Sequence, residues 1–252
     1  MFAHPDDDAF GVFGTILLHV AEGLEVMTVL ATRGEAGPIA DPSLASRENL
    51  GEVREREAQA AYEALGVAGV HLHFLGYRDG GVAQVPREEI VERIADLLRE
   101  FDPDVVVTFG PEGVTKHDDH VAMSAIAAEA FHRAREDAEE GFSRLLYVAI
   151  PRSRIELFQE MQREAGQEPF NPEDPFQPRG VPDDSIAYWV DCSAVWKRKY
   201  EALLEHRTQR EELEAFPEPA LPLVFGEEHF VQAWPDLDPG SERLGDVFEG
   251  LG

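Results

Sequence analysis

The chain has 252 residues, 43% of them hydrophobic, with 22 Lys and Arg against 50 Asp and Glu, a formal net charge of -28. That length fits one large globular domain or a domain with an extension, and the charge argues against nucleic acid or an anionic membrane as partner, since both need basic surface. No apolar run reaches the ~18 residues of a membrane span, no basic and apolar leader opens the chain, and the single Cys192 excludes an internal disulfide or a multi-cysteine metal site; together these favour a cytoplasmic protein.

The chain opens Met1-Phe2-Ala3-His4-Pro5-Asp6-Asp7-Asp8. One imidazole and three carboxylates so close together are costly to order unless a cation neutralises them. Imidazole with carboxylate suits zinc or another first-row ion better than calcium. Only Met1, Phe2 and Ala3 precede His4, fewer than the roughly five or six residues of a typical strand, so a longer first strand is expected ahead of Met1. A helix is expected over 12–22, then a buried strand over 24–31 (LEVMTVLA) and a helix over 47–65 with Gly66 as its C-cap. A second strand is read over 70–75 (VHLHFL). Helix 88–101 carries Ile90, Val91, Ile94, Leu97 and Leu98 at helical spacing. Strand 104–110 (DVVVTFG), an alanine-rich helix over 120–135 and strand 145–150 (LLYVAI) follow.

This alternation predicts an α/β fold, a Rossmann-like parallel sheet sandwiched by helices, with ligands beyond the carboxyl ends of the strands. Residues 171–184 read as a long Pro- and Asp-rich loop, 186–191 (IAYWVD) as a strand and 194–210 as a helix. After Phe216 the chain is rich in Pro, Glu and Gly with few periodic cues, and its last residues read as disorder-prone. The expected organisation is one domain over 1–210 and an irregular C-terminal extension over 211–252 that packs on it and completes the pocket.

A second cluster, Lys116-His117-Asp118-Asp119-His120-Val121, follows strand 104–110 and a Gly/Pro loop, where an α/β site should lie. His117 and His120 are three apart, so at a helix start both face one side, and Asp118 or Asp119 would make a good N-cap. Either histidine alone reads as well as a surface or capping residue. Together with His4 and Asp7 they are of metal-ligand type.

With these two motifs the chain resembles the PIG-L/LmbE-like zinc-dependent N-acetylglucosaminyl deacetylases, marked by A-H-P-D-D-[ED] near the start and H-x-D-H further on. Supporting agreements are TRGEAG at 32–37, RERE at 54–57, ALGV at 64–67, GYRDG at 76–80, and 199–209 ending His206-Arg207-Thr208-Gln209. The resemblance implies His4, Asp7 and His120 as ligands of one zinc per chain, a set that Fe2+ or another first-row divalent ion would also suit. It implies Asp6 as general base, His117 as the group that stabilises the oxyanion and protonates the leaving amine, and Asp119 as the residue that orients His117. Arg54 and Asp79 match sugar contacts; Arg33, Glu35 and His206 are weaker candidates, and Asp8 reads equally as a support or a plain helix-start acid. The implied reaction removes the N-acetyl group from an N-acetylglucosamine-type sugar or conjugate, thiol-cofactor precursors included, so the partner is a small amino-sugar.

Two other readings stand beside it: an amidase of a larger sugar-thiol conjugate, and a non-catalytic metal- or sugar-binding protein. A nucleotide-binding domain would need G-x-G-x-x-G after a strand, which Gly11-Val12-Phe13-Gly14 does not supply. The chain departs from the family pattern at Asp118, where H-P-D-H becomes H-D-D-H; the added charge is expected to favour protonated His117. Thr115 stands where some members carry a tyrosine. The sheet edge left by a short first strand could pair with a second copy of the chain.

Overall fold

A computed structural model describes residues 1–251 except 68, 69, 137, 139, 165, 172, 173, 175, 211–215 and 239. In chain order its elements are α1 (Asp7–His19), β1 (Met27–Thr32), α2 (Leu50–Leu65), β2 (His71–Tyr77), α3 (Arg87–Phe101), β3 (Val105–Phe109), α4 (Asp118–Arg135), β4 (Arg144–Val148), α5 (Arg152–Glu164), β5 (Tyr188–Asp191), α6 (Trp196–Leu203), α7 (Leu221–Phe225) and β6 (Glu227–Trp234). Contacts divide the chain into two compact units, residues 1–85 with 191–228 and residues 86–190 with 229–252. None of the described helices is long and apolar enough to cross a membrane.

In the first unit β1 and β2 pair in parallel, Met27 opposite His71 through Leu30 opposite Phe74. The opening residues run along β1. Phe2 N–H donates to Val29 O, Phe2 O accepts from Ala31 N–H, and Ala3 O accepts from Thr32 N–H at 2.9 Å. His4 therefore leaves at the carboxyl end of β1. Helix α1 starts at Asp7, not near Val12 as its apolar pattern predicts. Asp7 and Asp8 occupy its first turn, where carboxylates complement the positive end of the helix, so the acidic motif is itself the helix start. Phe13, Ile16 and Leu17 of α1 pack with Ala61, Tyr62 and Leu65 of α2, Ala202 and Leu203 of α6, and Leu221 and Phe225 of α7. Gly66 closes α2 at φ 75°, as expected.

The helix expected over 194–210 ends at Leu203 and resumes as a single tight turn over Arg207–Gln209. The cause is tertiary: the Glu57 carboxylate accepts from Thr208 N–H at 2.9 Å and Thr208 Oγ1 at 2.7 Å, and these bonds set the turn in place of a further helical one.

In the second unit β3 and β4 are parallel, Val105 opposite Arg144 through Phe109 opposite Val148, and the strand order is β3-β4-β6-β5. Strand β6 runs antiparallel to β4. The parallel α/β pattern holds for β1-β2 and β3-β4, and β6 is an addition that the sequence does not signal. Its head, Glu227-Glu228 after Gly226, has turn-like composition. Helix α5 is also new, a largely polar helix whose Ile155, Phe158 and Met161 are half-buried. The α3 positions Ile90, Val91, Ile94 and Leu98 are buried, as are Met123, Ile126, Ala130 and Phe131 of α4. The tail carries structure: Leu244 bridges Tyr188, Val247 is buried, and the Arg144 guanidinium donates to Val247 O.

Candidate active site

In the first unit the turn from the opening residues, which run along β1, into α1 gathers His4, Asp6 and Asp7. Asp6 is the N-cap residue and sits at φ 107°, ψ -29°, a left-handed conformation that a non-glycine residue adopts only at an energetic cost. Arg54, 4% exposed on α2, holds it there. Its Nη2 donates to Pro5 O at 2.6 Å and to Asp6 Oδ2 at 3.0 Å, and its Nη1 donates to Gly34 O at 2.8 Å. Burial pushes the Asp6 carboxyl up to about 7, against the opposing pull of the Arg54 charge.

His4 lies between two carboxylates. Asp7 Oδ2 is 3.4 Å from its Nδ1 and accepts its backbone N–H at 2.7 Å. Asp79 Oδ1 is 3.1 Å from Nε2. An imidazole so flanked calls for positive charge, either a proton on both nitrogens or a metal on one. The geometry suits the second: ligand atoms about 2.0–2.1 Å from a tetrahedral ion lie roughly 3.3–3.4 Å apart, the Nδ1–Oδ2 spacing found here. Asp79 is fixed in turn. Its Oδ2 accepts from Ala36 N–H at 2.8 Å and its own N–H donates to Glu35 Oε1 at 2.9 Å. Burial alone would raise the Asp79 carboxyl; the His4 ring and the Ala36 N–H outweigh it and hold it at about 2.

Asp8 points away from this turn, 1% exposed, and accepts from Tyr62 Oη at 2.6 Å. Burial pushes its carboxyl up, and the Tyr62 bond opposes that. His206 is 1% exposed, and among the described residues neither ring nitrogen has a hydrogen-bond partner. Burial, then the Arg54 charge, push it down to about 3, so the ring is neutral.

In the second unit the loop after β3 leads into α4. His117 itself is the N-cap: its Nδ1 accepts from Asp119 N–H at 3.2 Å. Asp118 and Asp119, the two alternatives for the cap, are instead the first two residues of the helix; Asp118 is exposed and Asp119 fully buried. The backbone of Asp119 thus reaches the His117 ring. His120 Nδ1 lies 3.0 Å from Gly113 O. A carbonyl only accepts, so Nδ1 carries the proton and Nε2 keeps the lone pair, the tautomer a ligand needs.

The His120 ring stacks on Phe109 at 4.2 Å and 9°, and its centroid is 5.0 Å from that of His117, so the two imidazoles share a side as their spacing predicts. Gly113, at φ 74°, is required here: a Cβ would stand 2.7 Å from Thr115 O and 2.9 Å from the His120 Cβ. Thr115 Oγ1 accepts from His117 N–H at 3.3 Å, shaping the loop.

The sequence motifs thus meet as His4 with Asp7 and Asp79, as Asp6 with Arg54, and as His117 with His120. Arg54 and Asp79, read as sugar contacts, are engaged with Asp6 and His4. Glu57, not singled out from the sequence, supports the His206–Gln209 segment. Its signal was available: Arg54 and Glu57 fall on the same α2 face as Leu50, Val53, Ala58, Ala61 and Leu65, and charge in an apolar register is rarely solvated. Phe176, 70% exposed with its ring 5.7 Å from that of His117, carried no signal in its Pro/Asp-rich loop.

The family model described as PIG-L, GlcNAc-PI de-N-acetylase, matches residues 1–131. A 1D-myo-inositol 2-acetamido-2-deoxy-alpha-D-glucopyranoside deacetylase of Thermobifida fusca is 33% identical over 235 residues, covering 82% of this chain and 81% of that protein. The chain belongs to the PIG-L family. The PIG-L match ends inside α4, so both motif-bearing turns lie within it. Among solved structures, the conserved protein TT1542 from Thermus thermophilus is 27% identical and covers 96% of each chain with a TM-score of 0.62. The N,N'-diacetylchitobiose deacetylase from Pyrococcus horikoshii shares the fold at 24% identity, covering 92% of this PIG-L chain and 81% of its own, with a TM-score of 0.60.

Proposed function

We propose that this PIG-L protein is a metal-dependent N-deacetylase that hydrolyses the acetamide of an N-acetylglucosamine-type sugar to the free amine and acetate. The observation that carries the reading is the His4–Asp7 pair at ligand spacing, with Asp79 behind the far nitrogen of His4, in a chain whose relatives are named deacetylases. His4, Asp7 and His120 are the residues that would hold zinc or another first-row ion, and such an ion, when bound, polarises the amide carbonyl and acidifies water.

The chain's own side chains supply the rest. Asp6, poised at about 7, takes the proton of the attacking water. Arg54 keeps that carboxylate and its left-handed backbone in place. His117, with Nδ1 occupied by the Asp119 N–H, carries its proton on Nε2 and offers it to the oxyanion and then to the leaving amine. Asp119 supports that ring through its backbone. Sugar hydroxyls would add to the bonds of Arg54 and Asp79, not replace them.

The test is metal content measured with acetate release from a panel of N-acetylglucosaminides, beginning with the glucosaminyl-inositol class named for the Thermobifida fusca relative. One metal per chain with acetate release supports the reading. Metal without release from any member of the panel overturns it, in favour of an amidase of larger conjugates or a binding protein.

A further inference from the structure

A buried ion pair is seated on the backbone of α1. Lys199 of α6 and Glu228 of β6 have side chains 1% and 2% exposed, with Nζ and Oε1 2.6 Å apart. Lys199 Nζ also donates to Phe10 O at 2.7 Å. Glu228 accepts from Gly14 N–H at 2.7 Å, from Thr15 N–H at 2.8 Å and from Thr15 Oγ1 at 2.6 Å. Phe10 C=O and Gly14 N–H are the two halves of one i, i+4 helix bond, and the ion pair reaches both. Gly14 makes that approach feasible: a Cβ there would stand 2.5 Å from Cys192 Sγ and 2.9 Å from Glu228 Oε1. Mid-helix glycine weakens a helix, so its place at this contact is explained by the approach and not by helix formation.

We propose that Lys199 and Glu228 are positioning residues for the His4–Asp7 turn, fixing where α1 sits along its axis. The argument rests on the metal site proposed above. His4 is placed by the pairing of Phe2 and Ala3 with β1; Asp7 is placed by α1, next to the N-cap Asp6 that Arg54 holds. The gap between His4 Nδ1 and Asp7 Oδ2 therefore depends on the position of α1 relative to β1. Apolar side chains could fill the volume of the ion pair with equal stability, but they would bind the helix without direction. Four directed bonds to Phe10, Gly14 and Thr15 fix its translation, and the continuous helix transmits that translation to Asp6 and Asp7.

The experiment compares the full-length parent with Lys199→Met/Glu228→Gln, which removes both charges together, and with Gly14→Ala, which pushes on α1 while keeping the pair. Zinc affinity by chelator competition, thermal midpoint, and kcat and KM for acetate release are measured on each. The expected result for the double variant is a midpoint within about 4 °C of the parent, zinc affinity weakened about tenfold or more, and kcat lowered about tenfold with KM within twofold. Gly14→Ala, favoured by helix propensity, is expected to stay folded and to show the same zinc and kcat losses, with Cys192→Ala in the same chain recovering part of them. Folded variants with parental zinc affinity overturn the proposal. If the double variant fails to fold, Gly14→Ala and its Cys192→Ala partner decide it alone. A parent that binds zinc but releases no acetate overturns the deacetylase reading, and the zinc comparison still judges the pair.

Discussion

Asp79 and Asp7 take opposite nitrogens of the His4 ring: Asp79 Oδ1 lies 3.1 Å from Nε2, and Asp7 Oδ2 lies 3.4 Å from Nδ1. A carboxylate behind a metal-bound imidazole fixes the ring's tautomer and raises its basicity. Asp79→Asn keeps the size and removes the charge. It is expected to weaken zinc affinity by about 10- to 100-fold, while far-UV circular dichroism stays parental because the Ala36 N–H still finds an amide oxygen. Chelator competition measures it; parental affinity would show that Asp79 serves the sugar alone.

Asp6 is expected to separate chemistry from metal binding. Asp6→Asn should keep one metal per chain and lose about a hundredfold or more in kcat, the scale of general-base loss. The base acts only when ionised, so parental kcat should fall as pH drops through about 7 or below, a bound cation shifting the limb downward by favouring the carboxylate. The Asn variant should lack that limb. A variant with parental kcat would remove Asp6 from the mechanism.

The extent to which the sequence announces this arrangement follows from how local each feature is. His117 and His120 share a side because their spacing is three residues, and α3 appears within one residue of its apolar pattern because every buried position repeats at helical period. The start of α1 lies ahead of its apolar pattern because its first turn is written in the carboxylates Asp7 and Asp8, which add nothing to an apolar repeat. Glu228 could not be found at all, since its helix donors Thr15 and Gly14 lie 213 and 214 residues away. Arg54 and Glu57 lie between these cases: their buried face was readable from α2, but the partners, Asp6 and Thr208, come from other segments.

Arg54 binds three acceptors from a buried position, so its loss should cost both stability and activity. Arg54→Met leaves Pro5 O, Gly34 O and the Asp6 carboxylate without their donor, an expected loss of about 3 kcal/mol in urea unfolding. Arg54→Lys is not a conservative repair, because one ammonium lacks the planar fork that reaches Gly34 O on one nitrogen and Pro5 O with Asp6 on the other. Its stability should fall between the parent and Arg54→Met, and its kcat should stay closer to that of the latter. Parental kcat in the Lys variant would show that charge, not the fork, is what Asp6 requires.

His206 is expected to set part of the acid sensitivity of the fold. Its folded value, pushed down to about 3 by burial and the Arg54 charge, lies below the ordinary 6.5. Between those limits the unfolded chain binds a proton that the folded chain does not, so this group lowers stability as pH falls. Asp6 works in the other direction over much of the same range, because its folded value is raised; only a comparison with the parent isolates the histidine. His206→Leu replaces a ring whose nitrogens are unpartnered among the described residues, so its stability at neutral pH should be near parental. Relative to the parent it should gain as pH is lowered, reaching about 3 kcal/mol near pH ~4. Urea unfolding of both proteins across that range measures the gain, and two parallel pH profiles would show that His206 takes up its proton in the folded state.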